Sequence, residues 1–175
     1  STQGTYVTDD IYNKGMRESG TPLTAASLGL SYHQGGWFID LDCNYYDRIY
    51  LSYSPSYRYK TSLTNRAGTT EASRNEIFDE NDQPRKSALA QAKGHGGFML
   101  DGSIGRSIYL KKGSLSINLM VTNILNNRHI VTGGYEQSRS DYTQSGNDRT
   151  YKFSKNPKKF YAFGTNGMLN IAYKF

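Results

Sequence analysis

Only one cysteine, one tryptophan and four prolines occur in these 175 residues. A single cysteine excludes an internal disulfide. Cys43 falls among alternating apolar residues and reads as a small hydrophobe. No apolar run approaches the roughly 20 residues that a membrane-crossing helix needs, and the mean hydropathy is −0.70. His33, His95 and His129 stand in separate segments without ligand spacing. No nucleophile–base set or metal cluster stands out, so neither an enzyme nor a cofactor is expected. The four acids of Asn75–Asp82 lack the calcium-loop pattern with its central glycine and read as solvated charge. The net charge is +6, but the basic residues are scattered or gathered at turns, which argues against nucleic acid. The chain opens at Ser1 without a signal-peptide pattern, which reads as a processed or excised piece.

What is abundant is tyrosine (15), glycine (18) and phenylalanine (7). With so little proline, this composition suits many antiparallel strands with aromatic rims. The end of the chain shows the pattern most clearly. Tyr161, Phe163, Thr165, Gly167, Leu169, Ile171, Tyr173 and Phe175 alternate with small or polar residues. Successive side chains of a strand point to opposite faces, so this is one apolar and one polar face. Aromatics bound the apolar row at both ends, as on a lipid-facing transmembrane β-strand. Average hydropathy hides such strands, because only every second residue meets lipid.

The same alternation predicts strands at about 24–33, 37–50, 97–110, 114–126 and 159–175. Glycine turns stand at Gln34-Gly35-Gly36 and Lys111-Lys112-Gly113-Ser114. Ala26, Leu28, Leu30 and Tyr32 share the outer row with Trp37, Ile39, Leu41, Cys43 and Tyr45. Asp40, Asp42 and Asn44 fall on the opposite row, as do Asp101, Asn118 and Asn170. Carboxylates at strand positions are costly in a dry core, so that face must meet water; these six are the lumen-facing candidates. Arg106 falls on the outer row, where it either snorkels or is turned inward by a bulge. The segments 1–23, 48–95 and 126–158 read as long polar loops, with a short strand at Gly4–Tyr12 and one short helix following Pro84. Tyr50, Tyr53, Tyr57, Tyr135 and Tyr142 are the aromatic loop residues that could stack on a ligand.

Short turns and long loops alternate strictly, as in outer-membrane barrels with short periplasmic turns and long external loops. Five strands cannot close such a barrel, and an open edge in lipid leaves backbone groups unsatisfied. The chain is therefore expected to be the last portion of a larger barrel, or to pair with another chain.

Asn118-Leu-Met-Val-Thr-Asn-Ile-Leu-Asn-Asn-Arg128 resembles the penultimate-strand signature of TonB-dependent outer-membrane receptors, with Ile124-Leu125 in place of the more usual Leu-Phe. Phe160–Phe175 is similar to the terminal strand of such receptors in the Bacteroidetes group. Its Leu169, Ile171, Tyr173 and Phe175 match the pattern that the barrel-assembly machinery reads. The resemblance covers residues 24–47 and 96–175. It implies an all-β fold: an antiparallel transmembrane segment of a 22-stranded barrel in the Gram-negative outer membrane. It also implies active nutrient uptake, with an N-terminal plug, TonB acting through that plug, lipid and a surface lipoprotein as partners. The alternatives from the residues alone are a passive porin or adhesin barrel, and a soluble β-sandwich binding module.

Overall fold

The computed structural model describes residues 8–137, 142–146, 148–151 and 156–175. In chain order the elements are β1 (Pro22–Gln34), β2 (Trp37–Tyr50), a 3-10 turn (Pro55–Arg58), α1 (Lys60–Ala67), α2 (Glu71–Ile77), α3 (Lys86–Leu89), β3 (Lys93–Gly94), β4 (Gly97–Leu110), β5 (Gly113–Thr122), β6 (Val131–Tyr135), β7 (Tyr142–Ser145), β8 (Asp148–Tyr151), β9 (Lys158–Tyr161) and β10 (Asn166–Lys174). The fold is predominantly antiparallel β, arranged as two compact units.

One unit comprises Pro22–Ile49, Gly94–Thr132 and Phe160–Phe175. Its strands form an open sheet in the order β1-β2-β4-β5-β10, leaving β1 and β10 as edges. The alternation read from the sequence explains the pairing, because the register lines up apolar with apolar on every strand. Tyr32 faces Ile39, Ile39 faces Ile104, Ile104 faces Leu119, and Leu119 faces Leu169. A slip of one residue would send each apolar row to the polar side. The strands of 13 and 14 residues exceed the roughly 9–11 needed to cross a bilayer when tilted.

The β1–β2 turn is two glycines, Gly35 and Gly36, with φ of 60° and 80°. A type I′ hairpin turn needs positive φ at both central positions. A Cβ on Gly36 would also sit 2.6 Å from the Ser107 carbonyl oxygen. Gly36→Ala is therefore expected to destabilise the sheet unit by at least about 1–2 kcal/mol, read as a lower urea midpoint.

The expected last strand, 159–175, is not continuous. Lys158–Tyr161 pairs with β6, residues 162–165 leave the strand conformation, and β10 begins at Asn166. The expected fourth strand ends at Thr122 rather than 126, because Asn123 turns the backbone with φ of 51°. Of the short strand expected at Gly4–Tyr12, the part through 7 lies outside the described residues; Ile11 makes an isolated antiparallel bridge with Tyr59.

The second unit comprises the described residues within Ser1–Thr21, Tyr50–Lys93 and Gly133–Lys159. The segment 48–95 was expected to be polar loop with one helix; it carries three short helices around a core of its own. Leu63, Ala67, Ile77, Phe78 and Ala88 are buried together, with Tyr12, Tyr57 and Leu89 packed against them. Thr70 caps α2 by accepting from the Ser73 amide at 3.3 Å. Gly68, at φ 73°, ends α1. Arg85 covers the end of α2, its Nε donating to the carbonyls of Asn75 and Phe78 at 2.7 and 2.9 Å. The acids of Asn75–Asp82 do local work: Asp79 Oδ1 accepts from the amides of Asn81 and Gln83, and Asp82 pairs with Arg74.

Candidate functional site

The sheet unit presents two chemically opposed faces. On the apolar one, Leu28 is 66% exposed, Leu169 and Ile171 are each 61% exposed, and Leu41 and Leu119 are also exposed; Ile39 and Ile117 are half-buried. Within this unit no second sheet covers these rows, and none of these side chains joins the buried core. Soluble monomers rarely leave so wide a contiguous apolar surface bare. Aromatics mark two levels of it. Tyr45 and Phe98 pack at one end with ring centroids 4.9 Å apart. Tyr32, Trp37, Tyr173 and Phe175 stand towards the end that carries the short turns. Tyr173 donates its hydroxyl to the Lys112 carbonyl at 2.6 Å, and its ring lies 5.6 Å from that of Phe175, which is 98% exposed.

Arg106 keeps its place on the apolar row. Trp37 and Ile117 face it in unbroken register, so no bulge turns it inward. Its guanidinium lies over the Trp37 ring, 4.8 Å from the centroid.

On the polar face, Asp40 stands between Ser31 and Ser103, Asp42 between Gly29 and Asp101, and Asn44 between Ser27 and Met99. Asn118 faces Gly105 and Asn170. The register thus gathers Asp40, Asp42 and Asp101 on two neighbouring strands, and sets Asn118 beside Asn170 on two others. Ser31 Oγ donates to Asp40 Oδ1, and His33 Nε2 lies 3.6 Å from the same oxygen. Two carboxylates directly opposite each other, Asp42 and Asp101, repel unless water screens them, so this face suits contact with water.

Asp101 does more than line a surface: its Oδ1 accepts from the Asn123 amide at 2.7 Å. Asn123 is 2% exposed and binds in four directions. Its Nδ2 donates to the carbonyls of Asn127 (3.1 Å) and Phe163 (2.7 Å), and its Oδ1 accepts from the Asn127 amide at 2.9 Å. Its own carbonyl accepts from Thr165 Oγ1 at 2.7 Å. Asn126 Oδ1 accepts from the Thr165 amide at 3.2 Å, and Asn127 Nδ2 donates to the Phe98 carbonyl at 3.1 Å. These side-chain bonds replace ladder bonds and account for the break at 162–165. The Asn-Ile-Leu-Asn-Asn run is thus a clasp joining the entry of β4 and the exit of β5 to the entry of β10.

No family model, curated protein or solved structure matches the chain.

Among the described residues, the tyrosines that could stack on a ligand have separate surroundings. Tyr53 and Tyr57 pack under arginine side chains, Arg58 at 5.2 Å and Arg66 at 4.2 Å from their ring centroids. Tyr50 lies under Lys93 at 5.1 Å. Tyr135 is exposed on β6, and Tyr142 opens β7 with its side chain outside the described residues. Sequence reasoning missed the Arg58–Glu136 ion pair, buried in the second unit, whose partners lie 78 residues apart. It also missed the role of Asn123, although the run containing it stood out as a motif. The signal available was an asparagine at the very end of an alternating strand, where a residue tolerant of positive φ is needed.

Proposed function

We propose that this chain is the C-terminal wall and outer rim of a TonB-dependent receptor barrel in a Gram-negative outer membrane, contributing to active nutrient uptake. The observation that carries the reading is the uncovered apolar face, ordered into continuous cross-strand rows between two aromatic levels. Water opposes such a surface and lipid accepts it. The polar face fits a hydrated lumen or the surface of a plug. The free edges of β1 and β10 fit pairing with strands contributed by the rest of the receptor, since an unpaired edge in hydrocarbon is costly. The second unit, with its own core, fits an external loop domain at the ligand entrance. Phe175, exposed at the end of the terminal row, fits recognition by the barrel-assembly machinery.

The test is fractionation of the intact polypeptide expressed in its host. It should sediment with outer membranes, resist alkaline carbonate extraction, need detergent for solubility and migrate faster unboiled than boiled. Recovery in the aqueous phase without detergent would refute the barrel and favour a sandwich module. Uptake that survives loss of TonB would replace active transport with a passive porin.

A further inference from the structure

We propose that Arg106, Trp37 and the cleft beside them seat an anionic glycerophospholipid at the short-turn end of the sheet, the guanidinium binding its phosphate and the cleft one acyl chain. This rests on the membrane reading above, and it concerns the outside of the wall rather than the transport path.

Arg106 is the one charged side chain on the apolar rows between the Tyr45–Phe98 level and the short turns. The cost of a lipid-facing arginine is large at the bilayer midplane and small near the interface. The register sets the level here. Trp37, cross-strand partner of Arg106, directly follows the Gly35-Gly36 turn, and tryptophan favours the headgroup zone. Stacking on Trp37 satisfies one face of the guanidinium and leaves its N–H edge available. Among the described residues no carboxylate forms an ion pair with Arg106. Its planar fork matches two oxygens of a phosphodiester. Beside it lies a cleft of about 340 Å³, lined mainly by apolar side chains, Ile104, Ile108, Ile117 and Leu119 among them, which offers methylenes a floor. Lys111 and Lys112, on the β4–β5 turn, and Lys174 add positive charge at the same end. Basic residues at a membrane surface attract anionic lipid. A neutral or purely apolar occupant would leave the arginine unmatched, and a free anion would leave the cleft empty.

The experiment uses the intact polypeptide in detergent, titrated with dioleoyl phosphatidylglycerol or dioleoyl phosphatidylcholine and read by native mass spectrometry. The expected result is one retained phosphatidylglycerol, held in preference to phosphatidylcholine. R106Q should cut that preference about tenfold, the loss of roughly one charge-assisted hydrogen-bonded contact. R106K should fall between, because a point charge cannot fork. W37L, which keeps the charge but removes the stack, should also weaken it and serves as the second variant if R106Q fails to fold. Migration of unboiled samples reports folding in each case. Equal retention of both lipids, an unchanged preference in both R106Q and W37L, or displacement of the lipid by excess inorganic phosphate would overturn the proposal. A protein needing no detergent would sink the membrane reading as well; a detergent-dependent protein without lipid preference would sink only this one.

Discussion

Arg58→Ala is expected to remove about 3–5 kcal/mol from the second unit, enough to unfold it. Arg58 and Glu136 have side chains 0% and 1% exposed, joined by paired bonds of 2.8 and 2.5 Å. The guanidinium also donates to the carbonyls of Ser54 at 3.1 Å and Leu89 at 3.4 Å, while Glu136 Oε2 accepts from the Ser54 amide at 3.1 Å. The pair therefore ties three stretches distant in sequence: the 3-10 turn, the end of α3 and the residue that follows β6. Removing the arginine strands a buried carboxylate and several backbone groups, which costs more than the pair contributes when intact. The double substitution R58M/E136L should recover most of the loss, since well-packed apolar residues can replace a buried ion pair at little cost. Hydrogen exchange measures this directly: 51–92 and 133–137 should lose protection in R58A and regain it in the double variant. Equal loss in both would show that the charges themselves are required.

The second large effect is expected at Asn123. Asn123→Ala should destabilise the sheet unit by about 3–5 kcal/mol, combining left-handed backbone strain with the loss of buried hydrogen bonds. Three substitutions separate the causes. Asn123→Gly relieves the strain at φ 51° and loses the side-chain bonds. Asn123→Asp keeps the acceptor for the Asn127 amide and loses the donors to Phe163 and Asn127. Asn123→Ala loses everything and adds strain. The expected order of stability is wild type, then Gly and Asp, then Ala, read as the urea concentration at which hydrogen-exchange protection of 97–122 and 166–174 is lost. If alanine and glycine behave alike, strain contributes nothing and the clasp alone matters.

The contrast between these two sites marks what the sequence makes legible. The sheet could be read because period-two alternation is carried locally: Leu28, Leu30, Ile39, Leu41, Ile117 and Ile171 each declare their face through their neighbours. Pairing then followed from glycine turns at 35–36 and at 113. The second unit could not be read this way. Its helices have only 8, 7 and 4 residues, and each brings only one or two residues to the core, too few for a periodic signal. Gly68 as a stop and Thr70 as a cap were visible, but such residues also punctuate ordinary loops. A salt bridge spanning 78 residues leaves no local trace at all. The clasp lay between these cases: its asparagines were conspicuous, but their partners at Phe163 and Thr165 lie in an expected strand that the clasp itself interrupts. Among candidate site residues, the polar rows were assigned by parity alone, whereas the arginines covering Tyr53 and Tyr57 come from pairings that parity says nothing about.

The separate core formed by Leu63, Ala67, Ile77, Phe78 and Ala88 has a consequence for how the molecule comes apart. Its cohesion depends on aqueous hydration of apolar groups, which urea weakens. The sheet, on the membrane reading, is held in addition by an amphiphile coat, so it yields only at higher urea. Calorimetry should then record two endotherms instead of one, the first moving already at low urea and the second moving at higher urea and with detergent chain length. No single melting temperature would describe this chain.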